Sequence, residues 1–267
     1  MISLITGEPN VGFSFLTPGD EPDTAGTSKA ERFYEPGQKP RFVQGVFDRI
    51  ASRYDFLNTV TSLGMHHVWR AKTAALTNLK PGDIALDVAC GTGDFLAGLR
   101  QRVGPGGIVI GLDFSRNMLE LARTKSSKKS ASATLVQGDA ENLPFRSESV
   151  DAITMGFALR NLAHVEACFG EMHRILVPGG CFLALEIARP GWWPYRPLFL
   201  FYFERLLPRL ARVFGGETNA YRWLPASLAA FYSREGVTRL MQQAGFQNIT
   251  IHNLAAGAVC IYRGEKP

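Results

Sequence analysis

Short apolar runs alternate with longer amphipathic segments along most of the chain. The apolar runs predict five strands, at Ile84–Ala89, Ile108–Asp113, Thr134–Asp139, Ala152–Phe157 and Cys181–Ile187. Apolar residues at helical spacing predict helices over Asp94–Val103, Ser115–Lys125 and His164–Leu176. The sequences KPGD (80–83), GPGG (104–107) and VPGG (177–180) predict turns. Strands and helices in alternation predict a parallel sheet with helices on both faces.

Two more β-type runs, Ile249–Asn253 and Ala258–Arg263, lie near the C-terminus. Only LAAG separates them, which is too short for a parallel crossover, so they should pair as an antiparallel hairpin. The predicted fold class is therefore α/β: a doubly wound, Rossmann-like, mostly parallel seven-stranded sheet with an antiparallel C-terminal hairpin.

The first forty residues differ in composition from the rest of the chain. Residues 17–40 read TPGDEPDTAGTSKAERFYEPGQKP and are rich in Pro, Gly, Thr and acidic residues. We predict a flexible segment over 1–40 and a single domain over 41–267. The N-terminus resembles neither a secretory signal nor a transit peptide, and no segment has the length and apolar purity of a transmembrane helix. These features favour a cytoplasmic location.

Bulk composition excludes several classes of function. Hydrophobic residues make up 46% of the chain and charged residues 20%, as in ordinary globular proteins. The net charge of +5 suits an anionic surface, but without an aromatic-rich basic groove nucleic acid is not an expected partner. The four cysteines are isolated and include no CxxC, so we expect neither a metal site nor a disulfide framework.

The sequence LDVACGTGDF (86–95) places a glycine-rich turn after the first predicted strand. A turn of this kind lets the backbone approach a ligand at the carboxyl end of the sheet. Gly91 and Gly93 match the first two glycines of the dinucleotide pattern G-x-G-x-x-G, but Leu96 occupies the third position. This counts against a nicotinamide or flavin dinucleotide.

Acidic residues end three successive strands. Asp87 suits a ligand that carries an ammonium or a sulfonium, because opposite charges attract strongly in a partly dry site. Asp113 is placed to accept both hydroxyls of a ribose, and Asp139 can accept from an adenine amino group. Each acid alone is also explained as a helix cap or a solvated loop residue.

The three acids and the GTG turn together resemble the class I S-adenosylmethionine-dependent methyltransferases. The resemblance implies S-adenosylmethionine as the cofactor. It implies cofactor contacts at nine positions: Asp87, Gly91, Thr92, Gly93, Asp113, Phe114, Asp139, Ala140 and Gly156.

Further stretches resemble the C-methyltransferases of menaquinone and ubiquinone biosynthesis. They are YDFLNTVTSLGMHHVW (54–69), GFALRN (156–161), RILVPGGCFLALEIA (174–188), YRWL (221–224) and NLAAGAVCIYRG (253–264). The chain departs from the family pattern at Val177, usually Lys, and at Ala188, usually Ser. The resemblance implies C-methylation of a prenylated hydroquinone ring, for example demethylmenaquinol to menaquinol. It does not distinguish a benzoquinone from a naphthoquinone.

The same resemblance implies four catalytic residues. A reduced ring attacks a methyl group through carbon only when an adjacent hydroxyl donates electron density, so the site must help remove a phenolic proton. Arg160 would stabilise the phenolate, directly or through a water molecule, and Asn161 would orient it. Tyr54 and His66 would come from a helical lid over residues 41–80. Taken alone, His66 is better explained as a structural residue, and its spacing to Trp69 favours the functional role.

The stretch Trp192–Phe214 is densely aromatic and carries Arg196, Arg205, Arg209 and Arg212. It lies within a predicted helical insertion over residues 190–232 that faces the substrate or a membrane. The stretch is explained either as a core helix with a homodimer contact or as a polyprenyl entry on a membrane surface, to which the protein would bind peripherally. Two other functions stay open: methylation of a different lipophilic acceptor, such as a sterol, tocopherol precursor or polyketide, and non-catalytic S-adenosylmethionine binding.

Overall fold

A computed structural model describes residues 30–128, 132–191, 194–206, 209 and 218–267. Its strands form one sheet in the order β3-β2-β1-β4-β5-β7-β6. Their bounds are β1 Ile84–Val88, β2 Ile108–Asp113, β3 Thr134–Gln137, β4 Val150–Gly156, β5 Leu176–Ile187, β6 Gln247–Leu254 and β7 Val259–Glu265. Strands β1 to β5 pair in parallel, whereas β7 is antiparallel to both β5 and β6. The predicted sheet and its C-terminal hairpin are confirmed.

Within the described residues, three helices precede the sheet, three connect its parallel strands, and three lie between β5 and β6. They are α1 Lys39–Ile50, α2 Tyr54–Ser62, α3 Met65–Ala75, α4 Leu96–Val103, α5 Arg116–Lys128, α6 Val165–Ile175, α7 Tyr195–Phe201, α8 Thr218–Ala229 and α9 Arg234–Gln243. Single helical turns occur at Glu31–Phe33, Ala51–Arg53, Leu159–Asn161 and Ala255–Gly257, and a π-helical turn at Tyr202–Leu206 follows α7.

The predicted turn VPGG is wrong, because residues 177–180 lie within β5. Val150 pairs with Leu176 and Ala152 with Cys181, so the extra residues bulge from the strand. The end of β7 holds the bulge: the Gly179 amide donates to the Lys266 carbonyl, and the Lys266 amide donates to the Gly180 carbonyl, both at 2.9 Å. This support comes from the C-terminus, which local sequence rules do not take into account.

The sheet separates two apolar cores. On one face Leu86 and Val88 of β1 pack in the core that α6 covers, and on the other Ala85 packs with Leu99 of α4. Strand β1 is buried on both faces, which is why its sequence is a continuous apolar run and not an alternating one. Each large side chain buried in this way stabilises the fold by about 1.5–3 kcal/mol.

A third apolar cluster joins the N-terminal helices to the segment between β5 and β6. The cluster contains Val46 of α1, Leu57 of α2, Phe199 of α7, Phe203 of the π-helical turn and Leu228 of α8. The predicted lid (41–80) and the described parts of the predicted insertion (190–232) therefore pack against each other. Residues 1–29 of the predicted flexible segment, and also Trp192 and Arg212, lie outside the described residues. No described helix is both long and apolar enough to cross a bilayer.

Candidate active site

A cavity opens at the carboxyl ends of β1, β2 and β4, beneath α1. Six predicted cofactor residues border it: Gly91, Asp113, Phe114, Asp139, Ala140 and Gly156. Two predicted catalytic residues, Tyr54 and Asn161, border it as well. Asp87, Thr92 and Gly93 are not among the residues that line it. This is the edge of a parallel sheet where ligands bind in folds of this type.

Asp113 is held in one orientation by the glycine turn. Its Oδ2 accepts from the Gly91 amide at 2.7 Å and its Oδ1 from the Ser115 amide at 2.8 Å. Burial raises the pKa of the carboxyl, and these amides oppose the rise. A carboxylate has about four acceptor positions. The Phe114 amide also acts on this carboxylate, and at least one acceptor position remains for a hydroxyl of a ligand.

The two glycines of the turn are required for different reasons. Gly91 has φ +55°, and a Cβ at this position would meet nothing within 4 Å, so the backbone is open to a ligand. At Gly93, with φ +81°, a Cβ would lie 2.9 Å from Leu96 Cδ1 and 3.2 Å from Ala122 Cβ. The first glycine permits close approach, and the second permits packing of the helix.

Asp87 lies at the end of β1 and is 1% exposed. Its Oδ1 accepts from the Thr154 hydroxyl at 2.8 Å, and its Oδ2 has no partner among the described residues. Burial raises the pKa of this carboxyl to about 8, although the Thr154 bond opposes the rise. An orphaned carboxylate oxygen beside the glycine turn suits a cationic ligand group. The residues present therefore fit S-adenosylmethionine, which carries an ammonium and a sulfonium.

We expect Asp87→Asn to raise the melting temperature of the ligand-free protein, and to do so increasingly as pH rises from 6 to 9. The pKa of this carboxyl is raised from its ordinary 3.8 to about 8 in the folded protein. Its contribution to stability is therefore complete only below pH 3.8 and is lost progressively as the pH rises through about 8. Asparagine does not ionise. Scanning calorimetry measures the difference, and Glu120→Gln, an exposed acid of α5, is the control. A pH-independent difference would contradict this account.

The N-terminal helices are tied to the glycine turn by a polar cluster. The Thr92 hydroxyl donates to Asp55 Oδ1 at 2.6 Å, and the Lys125 ammonium donates to Asp55 Oδ2 at 2.7 Å. Lys125 also donates to Asp94, whose pKa burial raises but Arg70 and Lys125 bring below its ordinary value. Thr92 thus contacts α2, and its predicted contact with the cofactor stays a prediction.

Helix α1 is fastened over the same cavity at both ends. The Ser115 hydroxyl donates to the Asp48 carboxylate, and the Lys39 ammonium donates to the Leu162 carbonyl. Burial lowers the pKa of Lys39 to about 8, with the charge of Glu141 opposing. Polar contacts from α1 and α2 therefore hold these helices across the carboxyl edge of the sheet.

A second cavity, of about 580 Å³, adjoins the first. Four residues border both: Phe47, Tyr54, Phe157 and Asn161. Its other walls come mainly from apolar and aromatic side chains of α1, α2, α7 and α8, with Arg160 and His66 among them. A largely apolar cavity with a few convergent polar groups suits a lipophilic small molecule.

Arg160 lies in the wall of the second cavity and is paired with a buried acid. Its Nη1 donates to the Glu186 carboxylate and to the Phe157 carbonyl, the latter at 2.7 Å. Its buried Nε has no partner among the described residues. Because Glu186 is 1% exposed, this ion pair fixes the guanidinium firmly.

Asn161 is oriented from the opposite side. The Trp223 indole donates to its Oδ1 at 3.0 Å, and its Nδ2 donates to the Phe157 carbonyl at 3.3 Å. Phe157 has φ +59°, an uncommon conformation for a residue with a side chain. Its carbonyl consequently binds both Arg160 and Asn161 at the boundary of the two cavities.

His66 is buried, and both of its ring nitrogens are engaged. Arg70 Nη1 lies 2.7 Å from Nδ1, and since a guanidinium only donates, Nδ1 accepts. The proton is then on Nε2, which lies 3.2 Å from the Thr59 hydroxyl. Burial, together with the charge of Arg70, lowers the pKa to about 4. The ring is therefore neutral at pH 7, and its predicted catalytic role stays a prediction.

Sequence reasoning missed the partners that hold these groups in place. They are Asp55, Arg70, Asp94, Lys125, Glu186 and Trp223. Glu186 had a signal, because it is an acid within the apolar run CFLALEIA (181–188). Asp55 lies within the first quoted signature. Trp223 lies within the quoted stretch YRWL (221–224). Lys125 had no signal, since its partners are distant in sequence.

Curated relatives of the chain include demethylmenaquinone methyltransferases. The one from Staphylococcus saprophyticus is 38% identical over 228 residues, which cover 85% of this chain and 97% of the relative. That of Alkalihalophilus pseudofirmus is 37% identical over 229 residues, covering 85% and 97%.

Solved structures confirm the class of fold. A SAM-dependent methyltransferase from Thermotoga maritima has a TM-score of 0.58 at 22% identity, covering 84% of this chain and all of that one. A SAM-dependent methyltransferase from Aquifex aeolicus has a TM-score of 0.57 at 17% identity, covering 79% and 96%. The sequence model of the ubiE/COQ5 methyltransferase family matches residues 35–266. The predicted family is thus confirmed, and the chain belongs to the ubiE/COQ5 methyltransferases.

Proposed function

We propose that this protein uses S-adenosylmethionine to methylate a ring carbon of a prenylated hydroquinone in the menaquinone series, with demethylmenaquinol as the acceptor. The observation that carries the proposal is the pair of adjoining cavities, one at the glycine turn and one apolar, with Arg160 and Asn161 at their boundary. The names of the curated relatives support the naphthoquinone ring over a benzoquinone ring.

The first cavity would hold the cofactor through groups that are already oriented. When bound, S-adenosylmethionine supplies an electrophilic methyl group on sulfur. The carboxylate of Asp113 would accept from the ribose hydroxyls, and Asp139 from the adenine amino group. Phe114 and Ala140 would flank the adenine. Gly156 leaves room for the ring of Phe95, whose Cε2 would lie 2.7 Å from a Cβ at that position.

Helices α1 to α3 would act as a lid over the cofactor. Their support is polar: Asp48 accepts from Ser115, and Asp55 accepts from Thr92 and Lys125. Both acids belong to the lid, and their partners belong to the sheet side of the cavity. Opening would break these contacts and the bond from the Lys39 ammonium to the Leu162 carbonyl, whereas the apolar cluster would keep α1 and α2 joined to α7 and α8.

The second cavity would hold the acceptor ring near Arg160. A phenolic hydroxyl has a pKa of about 10, so a nearby cation is needed to favour its ionisation at neutral pH. Arg160 would stabilise the phenolate, with water taking the proton, and Asn161 would orient the oxygen. Tyr54 borders both cavities and would align ring and methyl group. His66 would support the site through Arg70, which stacks over Phe157 at 5.2 Å.

Assays with short-chain and long-chain acceptors test this proposal. Phe199 and Phe203 border the second cavity, whereas Phe201 is 58% exposed. We expect Phe199→Ser or Phe203→Ser to reduce turnover of long-tailed demethylmenaquinol more than that of a short-chain analogue, because each removes apolar contact with the tail. Product mass identifies the methylated ring.

Phe201→Ser is the matched control. In detergent it should change neither the turnover of the long-tailed acceptor nor that of the short-chain analogue. Affinity for S-adenosylmethionine, measured alongside, verifies folding. Equal losses on both acceptors would show that these rings are only core. Methylation of a demethylated benzoquinol, a sterol or a tocopherol precursor in preference to the naphthoquinol would overturn the choice of ring.

We further propose that the protein works in the cytoplasm, peripherally bound to the inner face of the membrane. Leu63 is 89% exposed and Leu198 64%, and both lie on elements that form the second cavity. The exposed Arg196 and Arg205 lie on the same segment as Leu198. We expect binding to anionic vesicles that weakens with added salt, because salt screens the arginines. In vesicle sedimentation, the Leu198→Ser variant should bind less than the parent. Binding that does not change with salt would contradict the role of the arginines.

A further inference from the structure

Two residues that border the second cavity carry a buried donor without a hydrogen-bond partner among the described residues. One donor is Nε of Arg160, whose guanidinium the proposed function places at the phenolate oxygen, and the other is Nδ2 of Asn58. Buried donors are nearly always paired in folded proteins, so each exception needs an explanation. Nothing in the proposed reaction uses Asn58.

Helix α2 brings Asn58 to the cavity. Tyr54 lies four positions earlier on the same face of the helix, and it borders both cavities. The helix is fixed to the glycine turn through Asp55, whose Oδ1 accepts from the Thr92 hydroxyl at 2.6 Å. Asn58 is therefore held at the cavity by the placement of the whole helix.

The two unpaired donors come from different elements. Arg160 lies in the helical turn after β4, where its Nη1 is committed to Glu186 and its Nε is left for a ligand. Asn58 lies in α2, on the lid side of the cavity. A hydroquinone ring carries two oxygens on opposite sides of the ring, and Arg160 serves the one beside the reacting carbon. The other oxygen needs a donor from a second element.

We propose that Asn58 binds the second oxygen of the acceptor, the one distant from the carbon that is methylated, by donating from Nδ2. This role rests on the proposed function and adds to it the residue that recognises a ring with two oxygens. It favours such a ring over a lipophilic acceptor with a single hydroxyl, such as a sterol. Negative charge develops on the oxygen beside the reacting carbon, whereas the distal oxygen stays a hydroxyl. Asn58 therefore contributes to binding, and Arg160 contributes to the reaction itself.

The test compares two acceptors in the Asn58→Leu variant. The first is short-chain demethylmenaquinol, and the second is a prenylated naphthol that keeps the hydroxyl beside the reacting carbon and lacks the distal one. Asn58→Leu should lower kcat/KM for the diol about tenfold, mainly by raising KM, because one hydrogen bond that forms on binding is lost. The naphthol offers no oxygen to the amide, so its kcat/KM should change little.

Comparing the ratio of the two kcat/KM values between variant and parent cancels the difference in intrinsic reactivity of the acceptors. Leucine is close to asparagine in size, and the affinity for S-adenosylmethionine together with the melting temperature verifies folding. Asn58→Ala, a second variant without the amide, should shift the ratio in the same direction. Thr61→Val is the matched control, because Thr61 borders the same cavity from the same helix but its hydroxyl donates to the Asn58 carbonyl at 3.4 Å. This control should affect both acceptors alike.

An equal loss on both acceptors would overturn the proposal, because it would show that Asn58 only shapes the cavity. A loss on the diol that is confined to kcat would overturn it as well, since the amide would then act on the reaction and not on binding. In either case the parent still methylates the diol, so the proposed function stands. A parent that methylates neither acceptor would instead overturn the proposed function, and the role of Asn58 with it.

Discussion

Asp113→Ala should weaken the binding of S-adenosylmethionine by about 2 kcal/mol or more, which is roughly thirtyfold in affinity. The substitution removes the charged group that we propose as the acceptor for the ribose hydroxyls. It also removes the group that fixes the amides of Gly91 and Ser115, at 2.7 and 2.8 Å. Calorimetric titration of the purified protein measures the loss.

Two further variants separate these contributions. Asp113→Asn keeps one acceptor oxygen and should lose less affinity than the alanine variant. Asp83→Ala removes an acid from the opposite end of the sheet, just before β1, and should bind the cofactor as the parent does. Unchanged affinity in Asp113→Ala would remove this residue from the site.

Arg160→Ala should lower the rate of methylation by about 10²–10³ and leave the affinity for S-adenosylmethionine nearly unchanged. The proposed partner of the guanidinium is negative charge on the acceptor oxygen, which develops as the methyl group moves. A residue that acts only at this stage affects kcat and kcat/KM together. Single-turnover rates and cofactor titrations on the same preparation provide both quantities.

The control concerns Glu186, which Arg160→Ala leaves buried without its cation. An unpaired buried charge destabilises a protein by about 3–5 kcal/mol. Combining Arg160→Ala with Glu186→Gln should restore stability but not the rate. Recovery of the rate in the double variant, or a defect mainly in cofactor affinity, would show that Arg160 is structural.

Most of the sheet was predictable because its signals are local. The apolar run of β1 is enough to predict a buried strand, and the short LAAG link is enough to predict that β6 and β7 form a hairpin. Both signals involve only residues that are close in sequence. Carboxyl ends of parallel strands must share one edge, so Asp113 and Asp139 were expected at one site before any coordinates. The exception was VPGG, where pairing with the end of β7 converts a turn into a bulge.

The aromatic segment shows where composition alone misleads. Phe199, Phe201 and Phe203 look equivalent in sequence, but the first and third lie one helical turn apart on a buried face, and the second faces outward. Helical periodicity predicts that residues four positions apart share a face, which separates Phe199 and Phe203 from Phe201. The number of aromatic residues in the segment does not make this distinction.

The sequence by itself determined the fold class, the family and the acids at the strand ends, because each depends on residue type at short, regular spacing. Only the tertiary structure decided which groups meet. Asp55 joins Lys125 across 70 positions, and Arg160 joins Glu186 across 26. Such pairings depend on how whole elements pack, which no local pattern encodes, and they orient the polar groups around the two adjoining cavities.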